Sequence, residues 1–172
     1  MIGLNTSQNV TAPKQRRRIQ REIESRDWNW LYTGEAPSVK YTSEQVRKRV
    51  LPQELRTAQR LSSRGIRSVF IQDYKWIVED GIKRKIGLPD FRDGTEIKTL
   101  QSSKNPYGAI DNYLENSTGK DGLKRVIVDN SESTYIDDNS LIEAAQDIWN
   151  DYPDIPKLAL LLKSGDLIHL YK

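Results

Sequence analysis

The stretch Pro89-Asp90-Phe91-Arg92-Asp93-Gly94-Thr95-Glu96-Ile97-Lys98 decides how this chain is read. Asp93-Gly94 is a turn signal between two segments that alternate as strands do. Glu96 and Lys98 are two apart, so in a strand both leave one face while Ile97 points to the other. Loop length settles what lies opposite them. A two-residue loop sets Phe91 against Glu96 and Asp90 against Ile97, mixing polar and apolar residues on each face. A three-residue loop of Asp93, Gly94 and Thr95 sets Arg92 against Glu96, Phe91 against Ile97 and Asp90 against Lys98. A one-residue slip turns every side chain over, so burial of Phe91 with Ile97 selects the second register. Asp90, Glu96 and Lys98 then share a face outside the core.

Two carboxylates and a lysine on one face have a definite use. Asp90 and Glu96 can share a hard divalent cation, Mg²⁺ first and Mn²⁺ or Zn²⁺ as alternatives, with waters completing the shell. Such a cation acidifies a bound water, and Lys98 can orient or deprotonate the nucleophile. The competing reading is an exposed hairpin carrying a surface ion pair. Glu54 bears on the choice. It shares a helical face with Val46, Val50, Ala58 and Leu61, where a charge is costly unless something satisfies it. It can complete the metal shell, or it can be a first-turn glutamate after Pro52 that the helix dipole favours.

Composition narrows the remaining classes. The 172 residues contain no cysteine and a single histidine, His169. Disulfides, thiolate nucleophiles and most zinc sites are thereby removed. The longest apolar run, Leu158–Leu162, is far short of the ~20 residues that span a bilayer. No apolar stretch of the export-signal kind occurs in the polar, arginine-rich first thirty residues. Lys and Arg outnumber Asp and Glu by 18 to 9 over residues 1–88, and the balance reverses to 9 against 15 over residues 89–172. The basic half carries clusters at Lys14–Arg21, Arg47–Arg49, Arg56–Arg67 and Lys83–Lys85. That asymmetry suggests a polyanion-binding surface. Arg56, Arg60, Lys83, Arg84 and Lys85 are its candidate nucleic-acid contacts, with Thr99 and Lys104 beside the motif as helpers. Trp28, Trp30 and Tyr32 are either a small aromatic core or a stacking platform.

The order of elements predicts an α/β fold. A helix over Thr42–Arg64 starts at Thr42 as N-cap, with Gln45 as its capping-box partner, and kinks or restarts near Leu51 because of Pro52. Residues 66–71 read as a strand and Asp73–Gly87 as a strand plus loop. Strands near Leu88–Arg92 and Glu96–Leu100 form the centre of a sheet. Asn105-Pro106 opens a helix, Leu123–Asp129 is a strand, Ser140–Trp149 a helix, and Leu158–Leu162 with Leu167–Tyr171 a closing hairpin. His169 reads as structural.

These residues also resemble a family. Pro89-Asp90…Glu96-Ile97-Lys98 resembles the PD-(D/E)xK motif of restriction-endonuclease-like nucleases, and Glu54 falls where that superfamily places an extra acidic residue. The order of elements is similar to that of C-terminal nuclease toxin domains of contact-dependent inhibition and related polymorphic toxin systems. The resemblance spans residues 44–172, leaving 1–43 as a basic helical extension or linker. It implies a restriction-endonuclease-like mixed sheet flanked by helices. It also implies a metal-dependent nuclease with Glu54, Asp90, Glu96 and Lys98 as catalytic residues and Asp90, Glu96 and Glu54 as metal ligands. The expected substrate is RNA, tRNA in particular. The expected partner is an immunity protein, acidic because it must meet a basic rim. Action in the cytoplasm after delivery within a larger secreted protein follows from the same resemblance. A DNA endonuclease of the same fold, or a non-catalytic nucleic-acid-binding domain, are the alternatives. The basic insertion Asp73–Gly87 departs from the family pattern.

Overall fold

A four-stranded mixed sheet organises the computed structural model, which describes residues 39–172. The expected basic helix, the Lys14–Arg21 cluster and the aromatics Trp28, Trp30 and Tyr32 lie outside the described residues. The sheet runs β5 (Thr95–Thr99), β6 (Arg125–Asp129), β7 (Leu158–Leu161), β8 (Leu167–His169), in that spatial order. The first three strands are parallel and the last is antiparallel. Parallel neighbours need long crossovers. Helix α3 (Pro106–Ser117) bridges β5 to β6, and α4 (Asp138–Trp149) bridges β6 to β7. The result is a mixed α/β fold with a sheet flanked by helices.

Both crossover helices start where side chains can satisfy free N–H groups. Asn105 caps α3 by accepting from the Gly108 N–H at 3.2 Å, ahead of Pro106 at the first helical position. Asp137 caps α4 by accepting from the Ser140 N–H at 2.7 Å. Their apolar stripes bury Ile110, Leu114, Leu141, Ala144 and Ala145 with Val126, Ile127, Val128 and Leu160 of the central strands. His169 is buried among them and its imidazole is pushed down to about 3, first by burial and then by Lys157 and Arg125.

Ahead of this sheet, β1 (Val39–Tyr41) pairs in parallel with β2 (Ser68–Phe70). The helical stretch expected over Thr42–Arg64, with a kink or restart near Leu51, takes the form of a restart, in two helices: α1 (Glu44–Arg49) and α2 (Pro52–Ser62). The break falls at Val50-Leu51, where Pro52 forces a fresh start. The N-cap of α1 is Ser43, not Thr42, and its Oγ accepts from the Val46 N–H at 3.2 Å. Residues 73–87 are a complete hairpin rather than a strand plus loop: β3 (Tyr74–Glu79) and β4 (Ile82–Gly87) form a separate two-stranded sheet. Its tip is Asp80-Gly81, both at positive φ (51° and 76°). That is the two-residue turn whose backbone twist suits a hairpin.

The segment expected to pair with β5 as a central strand does something else. Leu88–Arg92 forms no strand, and β5 is an edge of the sheet. Phe91 donates its N–H to Thr95 O (2.9 Å), and Gly94 donates to Phe91 O (3.0 Å). The loop has three residues, as expected, but they are Arg92, Asp93 and Gly94, one position earlier in the chain. Gly94 takes its last place at φ 92°, the left-handed position that closes such a loop. Asp93 secures the loop by accepting from the Thr95 N–H at 3.0 Å. Pairing stops there because Phe91 leaves for a bridge to Phe70, its ring edge-on at 5.0 Å. Phe91 and Ile97 are both in the core, as burial demands, without being cross-strand partners.

Candidate active site

The shifted turn brings Asp90 alongside Glu96. Asp90 Oδ2 accepts from the Ile97 N–H at 2.9 Å, using an edge-strand donor that no neighbouring strand takes. Alternation along β5 places Ile97 and Thr99 toward α2 and Glu96 and Lys98 on the other face. Glu96 is almost fully buried, at 1 % exposure. Its Oε1 is held by Lys98 Nζ at 2.8 Å and by Lys120 Nζ at 2.6 Å. Its Oε2 is buried without a hydrogen-bond partner. Burial first, and the Glu96 charge second, push the Asp90 carboxyl up to about 8, with Glu54 adding to the repulsion. The Ile97 N–H and Lys120 work in the opposite direction.

Glu54 enters from the first turn of α2, where its Oε2 accepts from the Leu51 N–H at 2.9 Å. This is the helix-start role. The same side chain also lines a cleft of about 210 Å³ with Asp90, floored by Phe70 and Ile71. Glu54 and Asp90 thus share one cleft, while Glu96 is joined to Lys98 and Lys120 on the other face of β5.

The donor set bears on whether a metal fits. Among the described residues no three Asp, Glu or His side chains gather closely enough to cage an ion. Asp90 and Glu96 remain as a pair of hard oxygen donors. Glu96 Oε2, buried and without a hydrogen-bond partner beside an Asp90 carboxyl that burial and the Glu96 charge push up, is the oxygen left to meet a cation. Mg²⁺ is commonly held by one or two carboxylates with waters and substrate phosphate, so the residues fit an open two-carboxylate site rather than a closed cage.

The expected nucleic-acid contacts divide into three groups. Lys83 and Lys85 lie on one face of the β3–β4 hairpin, with Lys83 Nζ 4.7 Å above the Trp76 ring and Lys85 Nζ 4.1 Å above Tyr74. Arg84 lies on the opposite face, paired with Glu79 at 2.9 Å. Lys104 sits 4.9 Å above the Tyr135 ring. Arg56, Arg60 and Thr99 are engaged elsewhere. Arg56 reaches Glu132 at 2.6 Å, and Arg60 joins Asp129 and Glu132, both at 2.7 Å. The Arg56 guanidinium, with Arg60 assisting, holds the Glu132 carboxyl down to about 2. Thr99 Oγ1 shares a 2.7 Å hydrogen bond with Thr57, whose hydroxyl also donates to the buried Asp129. These residues lock α2 onto the ends of β5 and β6. Lys120 carries no signal of its role in the sequence. It belongs to the glycine-flanked loop Gly119–Gly122, and no spacing rule ties it to Glu96, 24 residues away.

These features define a class: an α/β domain with a buried carboxylate–lysine centre at a sheet edge. No helix among the described residues is long and apolar enough to cross a membrane. Comparison with protein-family models gives no match, and comparison with curated proteins gives none either. Among solved structures, the CdiA-CT/CdiI toxin and immunity complex from Burkholderia pseudomallei aligns at a TM-score of 0.43 and 15% identity, covering 82% of this chain and 98% of that chain.

Proposed function

We propose that this domain is a divalent-metal-dependent nuclease, with Asp90 and Glu96 as the metal-holding pair and Glu54 as an additional carboxylate at the rim of the cleft. The observation that carries the reading is the juxtaposition of the unpartnered Glu96 Oε2 with an Asp90 carboxyl pushed up to about 8, beside two lysines. A cation bound there supplies an acidified water and neutralises charge on the scissile phosphate. Asp90, fixed by its hydrogen bond from the Ile97 N–H, and Glu96 would hold the ion as ionised carboxylates. Lys98, tethered to Glu96, stands ready to orient the attacking water. Lys120 offers a second ammonium group to the negative charge that builds on the phosphoryl oxygens. Burial of Glu96 strengthens each of these interactions by excluding water.

The PD-(D/E)xK resemblance supports this chemistry. The similarity in element order to toxin domains adds RNA, and tRNA in particular, as the substrate class. It also adds an acidic immunity protein as partner and the cytoplasm as the place of action. Incubation with total RNA and with plasmid DNA, in Mg²⁺, Mn²⁺, Zn²⁺ or chelator, tests the reading. RNA cleavage that needs the metal and disappears in Glu96→Gln is the expected result. Cleavage that persists in chelator or in that variant overturns the reading. Metal-dependent cleavage of DNA with RNA left intact moves the substrate, not the chemistry.

A further inference from the structure

The β3–β4 hairpin presents an unusual face. Register places Tyr74, Trp76 and Val78 of β3 on the same side as Gly87, Lys85 and Lys83 of β4. Trp76 is 53% exposed and meets Tyr74 edge-on at 6.3 Å. Lys83 and Lys85 lie over these two rings, so that cation and aromatic alternate along the face. Trp76 and Val78, 73% exposed, form a contiguous exposed apolar surface rimmed by lysines, the make-up that marks an interaction site. Ammonium groups at the ring faces exclude a cationic partner and suit one that couples flat apolar rings to anionic groups at short intervals. Single-stranded nucleic acid has that make-up: bases stack on aromatic side chains while lysines meet the phosphates between them.

The hairpin is also wired to the candidate active site at its stem. Strand β4 runs through Leu88 and Pro89 directly into Asp90. Lys85 is thus five residues from Asp90, at most about 17 Å of extended chain. On the other side, the Asp121 N–H donates to Gly87 O at 2.9 Å and the Asp121 carboxylate pairs with Lys75. Asp121 directly follows Lys120, which holds Glu96. The hairpin is therefore anchored to both sides of the carboxylate centre.

We infer that the Tyr74–Trp76–Lys83–Lys85 face binds an unpaired nucleic-acid strand, with a base stacked on Trp76 and the flanking phosphates on Lys83 and Lys85, and so selects single-stranded or looped segments for delivery to Asp90 and Glu96. This rests on the nuclease reading for its substrate class, but it concerns binding and can be measured without turnover. Arg84 belongs to the opposite face and takes no part.

Fluorescence anisotropy of a labelled single-stranded RNA oligonucleotide and of its duplex, both with the full chain in chelator, tests the inference. The wild type should prefer the single strand. Trp76→Ala should weaken single-strand binding by about tenfold and abolish the preference, whereas Trp76→Phe, which keeps a ring, should recover much of it. Lys83→Gln combined with Lys85→Gln should flatten the log–log salt slope by about 1.4, because two phosphates are no longer neutralised. Lys163→Gln, on the β7–β8 turn, should bind as wild type. If the Trp76 and lysine variants bind the single strand as tightly as wild type, the inference is overturned, and the face serves a protein partner instead. Metal-dependent cleavage by the wild type would then leave the nuclease reading standing. Loss of binding in the hairpin variants, with no cleavage by the wild type in any metal, would support this inference and sink the nuclease reading.

Discussion

Asp90 Oδ2 accepts the Ile97 N–H at 2.9 Å, so a carboxylate seven residues upstream is pinned by the backbone of the strand that carries Glu96 and Lys98. Edge strands leave a row of unused donors. Here one of them fixes a carboxylate beside another instead of recruiting a strand. The Asp90–Glu96 pair thus depends on a single turn and one side-chain–backbone bond, not on a hairpin ladder.

The charge and the hydrogen bond of Asp90 are separable by substitution. Asp90→Asn retains an oxygen for the Ile97 N–H and cannot ionise. It should fold with nearly wild-type stability and lose cleavage by two or more orders of magnitude, as should Glu96→Gln. Asp90→Ala should lose cleavage equally and also cost about 1 kcal/mol of stability, because Ile97 forfeits its acceptor. Urea denaturation beside a nuclease gel distinguishes the three. Full activity in Asp90→Asn would remove Asp90 from the metal-holding pair.

The pH dependence follows from the direction of the Asp90 shift. Its folded value, about 8, lies above the ordinary 3.8. The folded state therefore binds a proton that the unfolded chain releases over this range. The stabilisation is full below the ordinary value and is lost as pH rises toward 8. In chelator, thermal stability should decline from pH 5 to pH 8, and Asp90→Asn should flatten that decline. Mg²⁺ should restore stability most at the alkaline end, since binding must displace the Asp90 proton. Calorimetry in buffers of different ionisation enthalpy should register proton release below pH 8. Glu132, held down to about 2 by Arg56 and Arg60, contributes in the opposite sense, and its stabilisation is lost only in strong acid as pH falls from about 4.5.

The two lysines on Glu96 Oε1 should differ in effect. Each competes with a metal for the same carboxylate, so Lys98→Ala or Lys120→Ala should tighten Mg²⁺ binding. Lys98→Ala should nevertheless reduce turnover by about 10²–10⁴-fold, the usual range for a lost proton-handling group. Lys120→Ala should reduce it less, because its role is charge stabilisation from a loop. Mg²⁺ titration by calorimetry and single-turnover cleavage measure the two effects separately. Unchanged turnover in Lys98→Ala would exclude it from the chemistry.

Gly94 offers a structural test of the turn. It sits at φ 92°, and a Cβ added there would lie 2.5 Å from the Gly122 carbonyl oxygen and 2.9 Å from Lys124 Cγ. Gly94→Ala combines left-handed strain of about 1–2 kcal/mol with a clash against backbone. Stability should fall by roughly 2 kcal/mol or more once the clash is added to that strain. Activity should fall too, because the same turn sets Asp90 beside Glu96 and abuts the loop that supplies Lys120. Thermal denaturation and cleavage assays read both effects.

Much of the fold is legible in residues acting locally. Asn105-Pro106 announces α3 because an N-cap and a proline need nothing beyond one helical turn. The apolar runs 126–128 and 158–162 announce buried strands, and Pro52 announces the break between α1 and α2. Glu96, Ile97 and Lys98 declare their faces by alternation, and Gly94 declares a left-handed turn residue. The Asp80-Gly81 turn is equally legible in principle, but the charged strands around it mask the hairpin, since they pack on no core.

The remainder depends on competition between distant groups. Whether Phe91 pairs with Ile97 or turns to Phe70 is decided by aromatic packing across more than twenty residues, and that choice moves the loop by one position and makes β5 an edge. Arg56, Arg60 and Thr99 look available for phosphate because their charges and hydroxyls are visible in sequence, while Asp129 and Glu132, which engage the arginines, are some 70 residues from them. Lys120 becomes a partner of Glu96 only because α3 and its trailing loop return along the sheet. Residue types and local periodicity thus mark Asp90, Glu96 and Lys98 as capable of chemistry before any fold is known. Which side chains meet them is set by long-range packing, because burial and charge neutralisation are settled between segments that no local rule connects.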